Sequence, residues 1–124
     1  MAVQLDHTIV PSRDKHASAH FLTRLLGLDP PGEFGHFVTV EVANGVSLDY
    51  DDATDVRPQH FAFLVGDEDF DPIFERVKAE GITYYPDPSH RRPGEINTRD
   101  GGRGFYFSDP DGHNMEVLTR RYGS

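Results

Sequence analysis

Two histidines and two carboxylates in this chain recur in matching places. Setting VTVEVANGVSLDY (residues 38–50) over FYFSDPDGHNMEV (residues 105–117) needs no gap, and it brings Gly45 onto Gly112 and Asp49 onto Glu116. Setting the segment that opens the chain over QHFAFLVG (residues 59–66) brings His7 onto His60. Two imidazoles and one carboxylate, with coordination positions left open, suit Fe2+, Mn2+, Zn2+ or Ni2+. The open positions let a small molecule with adjacent oxygens chelate the cation, which then works as a Lewis acid or an oxygen-activating centre. His7, His60 and Glu116 are therefore the candidate metal ligands. Asp49, with a shorter side chain than Glu116, is a candidate catalytic residue or a further ligand. Tyr106 is a candidate hydrogen-bond donor beside the site. His16 and His20 stand four apart but lack the acid of an HExxH pair, so a solvated helix face is expected there. His36, His90 and His113 read as loop or strand-end residues.

The elements that must position these groups follow from periodicity. Residues 3–10 predict a strand with Val3, Leu5, His7 and Ile9 on one side. Ser12 can cap a helix running to about Leu26, with Ala17, Phe21 and Leu25 as its apolar stripe and Gly27 at its end. Residues 35–43 and 46–50 predict a hairpin through Asn44-Gly45. The pattern then restarts: a strand at 59–66, a helix from about Asp69 with Pro72 in its first turn and a stripe of Phe70, Ile73, Phe74 and Val77, then a strand at 82–86. A polar loop follows over 87–102, and strands at 103–108 and 114–120 flank Asp109-Pro110-Asp111-Gly112. The chain is thus expected to be α+β: one domain of two tandem βαβββ modules, about 1–51 and 59–124 with a linker at 51–58, forming a curved mixed sheet around a metal cavity. Alternation on the last strand sets Asn114, Glu116 and Leu118 opposite Met115 and Val117.

Composition narrows the partners. With 124 residues the chain is long enough for one core, and a 36% hydrophobic content with 9 Phe and 5 Tyr fits a folded globule. A formal net charge of −9 repels phosphate backbones, so no nucleic-acid partner is expected. No apolar run approaches the roughly 20 residues of a membrane helix, and the first ten residues do not read as a secretory signal. Having no cysteine excludes disulfides, thiolate ligands and cysteine nucleophiles. A cytoplasmic location is expected.

The stretches LDHTIV, FLTRLLGLDP, QHFAFLV and FYFSDPDGHNMEV resemble the vicinal oxygen chelate superfamily, which includes glyoxalases, bleomycin-resistance proteins and extradiol dioxygenases. The resemblance covers nearly the whole chain. It implies metal ligands at His7, His60 and Glu116, all present here, unlike the antibiotic-binding members that lack them. It also implies a small-molecule substrate and dioxygenase, lyase or isomerase chemistry. Phe105-Tyr106, Asp109-Pro110, Gly112 and Glu116 resemble the type I extradiol signature, although Thr98 stands where that signature carries a histidine. In glyoxalase I the position of Asp49 supplies a fourth ligand. The thiol-transferring fosfomycin-resistance enzymes share the three ligands, and Arg91, Arg92, Arg99, Arg103, Arg120 and Arg121 are the candidates for an anionic substrate. A homodimer is expected, because short members resemble dimers and aromatics favour interfaces. Phe34, Tyr84 and Tyr85 are the expected contacts, and if the modules swap, His7 comes from one chain and His60 with Glu116 from the other.

Overall fold

The computed structural model describes residues 2–124, and the chain divides into two compact units, the first ending at Arg57 and the second beginning at Pro58. The first unit runs β1 (His7–Ser12), α1 (Lys15–Leu26), β2 (Gly32–Phe34), β3 (Phe37–Glu41) and β4 (Ser47–Asp52). Its sheet has the order β1-β4-β3-β2, with β1 parallel to β4 and the other pairs antiparallel. This is the expected βαβββ module.

Its details depart from the sequence expectation in three places. Strand β1 starts at His7 rather than residue 3, because its parallel partner begins at Ser47 and its first register pair is His7 with Ser47. The helix cap is Asp14, whose Oδ1 accepts the N–H of Ala17 at 3.1 Å. Ser12 is instead buried at the end of β1, where its hydroxyl donates to Ser18 Oγ at 2.8 Å. The buried face of α1 carries Ser18, Ala19, Leu22, Thr23 and Leu25 rather than the 17-21-25 series, of which only Leu25 is buried. Gly27 ends the helix at φ 69°, as a left-handed C-terminal residue should, and β3 and β4 join through a turn in which Gly45 has φ 80°. Val10, Leu22, Leu25, Val38, Val40, Leu48 and Tyr50 form the core of this unit.

The second unit runs β5 (His60–Leu64), α2 (Asp67–Ala79), β6 (Gly104–Ser108) and β7 (Asn114–Leu118), with a sheet ordered β5-β7-β6. Strand β5 is parallel to β7, and β6 is antiparallel to it. The expected strand at 82–86 is reduced to one bridge between Tyr85 and Tyr106, closed by N–H···O bonds of 2.9 and 2.7 Å. Pro86 then follows with no N–H to extend the ladder. Helix α2 begins at Asp67, two residues early, so Pro72 lies beyond its first turn. Asp67, Glu68 and Asp69 at its start complement the helix dipole. Phe70, Ile73, Val77, Phe105, Phe107, Met115 and Val117 are buried.

Of the residues expected at an interface, Phe34 is exposed. Tyr84 packs 4.9 Å from the Phe74 ring and Tyr85 stacks on His90 at 4.2 Å, and both are half-buried. Among the described residues no helix is long and apolar enough to cross a membrane.

Candidate metal centre

Parallel pairing gives each unit the same layout. In the first, His7 lies opposite Ser47 and Ile9 opposite Asp49. In the second, His60 lies opposite Asn114 and Ala62 opposite Glu116. Because side chains alternate along a strand, a histidine and a carboxylate two positions further along the neighbouring strand fall on one face of the sheet. Matching registers are what the internal sequence match requires.

In the second unit the two groups meet. His60 Nε2 lies 3.0 Å from Glu116 Oε1, with the Glu116 side chain 1% exposed and that of His60 46% exposed. A carboxylate can only accept, so His60 Nε2 is the donor. Two ligands bonded to one cation at about 2.1 Å and at right angles also stand about 3 Å apart, so a divalent ion can replace the shared proton with little movement. The donor set therefore fits a metal.

The second oxygen of Glu116 is also engaged, by the hydroxyl of Tyr122, and Tyr122 Oη lies 2.8 Å from Tyr106 Oη. Arg99 Nη1 donates to Tyr106 Oη at 3.2 Å. The two ends of this chain fix its direction. Arginine only donates and carboxylate only accepts, so Tyr106 gives its proton to Tyr122, and Tyr122 gives its own to Glu116. Desolvation of its hydroxyl end, together with the bonds to Glu116 and Tyr106, holds the Tyr122 phenol above its ordinary value, so it stays a donor. Tyr106 itself is buried, with its ring 5.7 Å from that of His60.

In the first unit the two groups have other partners. His7 is exposed, and its Nδ1 bonds Asp6 Oδ2 at 2.7 Å. That bond, and the field of Asp49, raise its pKa against the opposing effect of desolvation. Asp49 is nearly buried, and its Oδ1 accepts the Ser47 hydroxyl at 2.6 Å.

Another set of ligand-type groups, Asp109, Asp111 and His113, is buried in the turn before β7, with ligand atoms within 4.8 Å of one another. Hydrogen bonding argues against a cation there. The N–H of Gln59 donates to His113 Nδ1 at 2.9 Å, so the neutral ring carries its proton on Nε2 and has no free lone pair to offer. Asp109 Oδ1 accepts the N–H groups of Asp111 and His113 at 2.9 and 2.8 Å, which is how this side chain ties the turn. Burial pushes its carboxyl up despite those bonds.

The remaining candidates take ordinary roles. His20 Nδ1 donates to the carbonyl of His16 at 2.8 Å, and both residues are exposed, as a solvated helix face should be. His90 Nε2 lies 2.8 Å from Asn114 Oδ1. Arg103 pairs with Asp71 at 2.7 Å and lies over the Phe70 ring. Arg91, Arg92 and Arg99 line a cavity of about 440 Å³ beside Pro86 and Asn97. Of the six arginines singled out in the sequence, Arg99 bonds Tyr106, whose hydroxyl leads through Tyr122 to Glu116. Sequence reasoning missed Tyr122, since the terminal RRYGS has no periodicity to mark it.

Comparison with known proteins agrees with this architecture. The chain is similar over 99% of its length to the solved structure of Oxidase ChaP-H1, of which it covers 100%, at 59% identity and a TM-score of 0.97. It is similar to Oxidase ChaP-H2 at 60% identity and a TM-score of 0.97, over 100% of this chain and 98% of that one. Glutathione transferase FosA of Serratia marcescens is 33% identical over 94% of this chain and 81% of that protein. The family profile described as Glyoxalase/Bleomycin resistance protein/Dioxygenase superfamily matches residues 4–117, and the chain belongs to that superfamily.

Proposed function

We propose that the chain is a metal-dependent oxidase or dioxygenase acting on a small molecule with adjacent oxygens. His60 and Glu116 of the second unit, with His7 of the first, would hold one divalent cation: Fe2+, Mn2+, Zn2+ or Ni2+. One observation carries the reading. A buried carboxylate faces an imidazole at 3.0 Å, in a strand register that the first unit repeats with His7 and Asp49. The two similar oxidases, at about 60% identity over nearly the whole chain, favour oxygen chemistry within the superfamily. The bound cation would supply Lewis acidity and a place for oxygen and substrate to meet. Tyr106, held by Arg99, spends its proton on Tyr122 and so would support the ligand Glu116 through that hydroxyl rather than donate to substrate.

The experiment is to load purified protein anaerobically with each metal and follow oxygen uptake over a panel of catechols and diols. Metal-dependent uptake is expected. A second reading, thiol transfer, is favoured by the similarity to Glutathione transferase FosA and by the arginine-lined cavity. Glutathione consumption with an epoxide, and no oxygen uptake, would replace the first reading by the second. Tight binding without turnover across the whole panel would make the protein a sequestering one.

The protein is further proposed to be a homodimer, to be checked by sedimentation at micromolar concentration. A species of only 13.9 kDa would defeat it. If the centre is shared between chains, mixing His7→Ala with Glu116→Ala chains restores about a quarter of the sites by random pairing. No recovery confines the centre to one chain.

A further inference from the structure

The C-terminal segment contributes to the centre in a way neither the strand repeat nor the candidate ligands account for. Tyr122 follows the last strand, and its side chain is largely in solvent, the residue being 58% exposed. Yet its hydroxyl end reaches a carboxylate that is 1% exposed. Two further bonds hold the segment in place. The N–H of Gly123 donates to Asp100 Oδ2 at 3.2 Å, and Ser124 Oγ donates to the carbonyl of Arg121 at 2.5 Å. Asp100 sits at φ 56°, a conformation costly for a residue with a Cβ, in the 3-10 turn Arg99–Gly101. That one turn presents Arg99 to Tyr106 and Asp100 to Gly123, so it anchors both the hydroxyl chain and the tail that completes it.

A ligand carboxylate has two oxygens. When only one is offered to a cation, the other needs its own partner, and at 1% exposure bulk solvent is out of its reach. We propose that Tyr122 is a positioning residue of the metal centre: by donating to Glu116 Oε2 it occupies that oxygen and leaves Oε1, on the His60 side, as the single oxygen for the cation. The inference rests on the function proposed above, with Glu116 as a ligand. It adds that the geometry of that ligand is set from the C-terminal tail.

The test uses Co2+ as the probe on the full chain, with affinity read by titration and coordination read from the visible absorption spectrum. Tyr122→Phe removes the hydroxyl and keeps the ring. It is expected to weaken Co2+ binding by about 10–100-fold, as loss of a ligand's hydrogen-bond partner does. It is also expected to change the spectrum, because Oε2 becomes free to join the ion. Gly123→Pro is the second variant. Proline lacks the N–H given to Asp100 and cannot adopt φ 75°, so the tail is displaced without touching the centre. It should shift affinity and spectrum in the same direction. Tyr84→Phe, which removes a hydroxyl from a ring packed on Phe74, should change neither. Variants that match the wild type within twofold in affinity and superimpose in spectrum overturn the role of Tyr122 and leave the metal centre standing. A wild-type chain that takes up no Co2+ overturns both.

Discussion

The two units build the same pair of strands and reach different chemistry from it. In both, a histidine on the first strand stands diagonal to a carboxylate on a parallel neighbour. In the second unit the carboxylate is a glutamate, long enough to meet its imidazole at 3.0 Å, and its other oxygen takes a tyrosine hydroxyl. In the first unit the carboxylate is one methylene shorter and bonds Ser47, while His7 turns to its neighbour Asp6. Equal registers thus give a closed donor pair in one half and a dispersed one in the other. Side-chain length and the hydroxyl groups nearby make the difference; the backbone does not.

The largest expected effect tests whether both halves feed one centre. Glu116→Ala, His60→Ala and His7→Ala should each lose most of the bound metal, measured as metal content after purification without a tag or chelator. If His7→Ala keeps its metal while the other two lose theirs, the first unit drops out of the centre. Next in size is Asp49→Asn. Its carboxylate acts on His7 through space, so metal affinity should fall by roughly 10–100-fold, the range for a group that supports a ligand. Full loss on the scale of Glu116→Ala would make Asp49 a ligand and the two halves alike; no change would remove it from the site. Asp109→Ala should act on stability instead. The buried N–H groups of Asp111 and His113 lose their acceptor, at a cost of about 1–3 kcal/mol by denaturant unfolding, with metal content unchanged. Metal lost in parallel with an unaltered fold would return the turn before β7 to consideration as a cation site. The smallest effect belongs to His16→Ala, an exposed helix residue, for which metal content should stay as in the wild type and stability should move by less than about 0.5 kcal/mol.

Much of the candidate centre could be read along the chain because its residues lie on a repeat. Gly45 over Gly112 fixed the alignment of the two halves, and strand alternation then set Asp49 and Glu116 on faces opposite their apolar neighbours. The misreadings lie where local pattern and tertiary partner disagree. Strand β1 could not extend to Val3 without a parallel neighbour there, and of residues 82–86 only Tyr85 pairs, with Pro86 offering no N–H to carry the ladder onward. Of the 17-21-25 series of α1 only Leu25 is buried; the sheet beneath selected it together with Leu22 and the small residues Ser18, Ala19 and Thr23.

Residue types and their repetition along the chain determined the two-module plan and the candidate ligands, because both depend on spacing within a strand or between matching segments, while the superfamily was legible only through the resemblance of stretches such as QHFAFLV and FYFSDPDGHNMEV. Only tertiary structure decided which oxygen of Glu116 faces His60, that His113 Nδ1 accepts the N–H of Gln59, and that Arg99 and Tyr122 are linked to Glu116 at all. Those outcomes depend on hydrogen bonds between residues far apart in the chain, whose direction is set by which groups can donate and which can only accept, and no periodicity in a linear sequence carries that information.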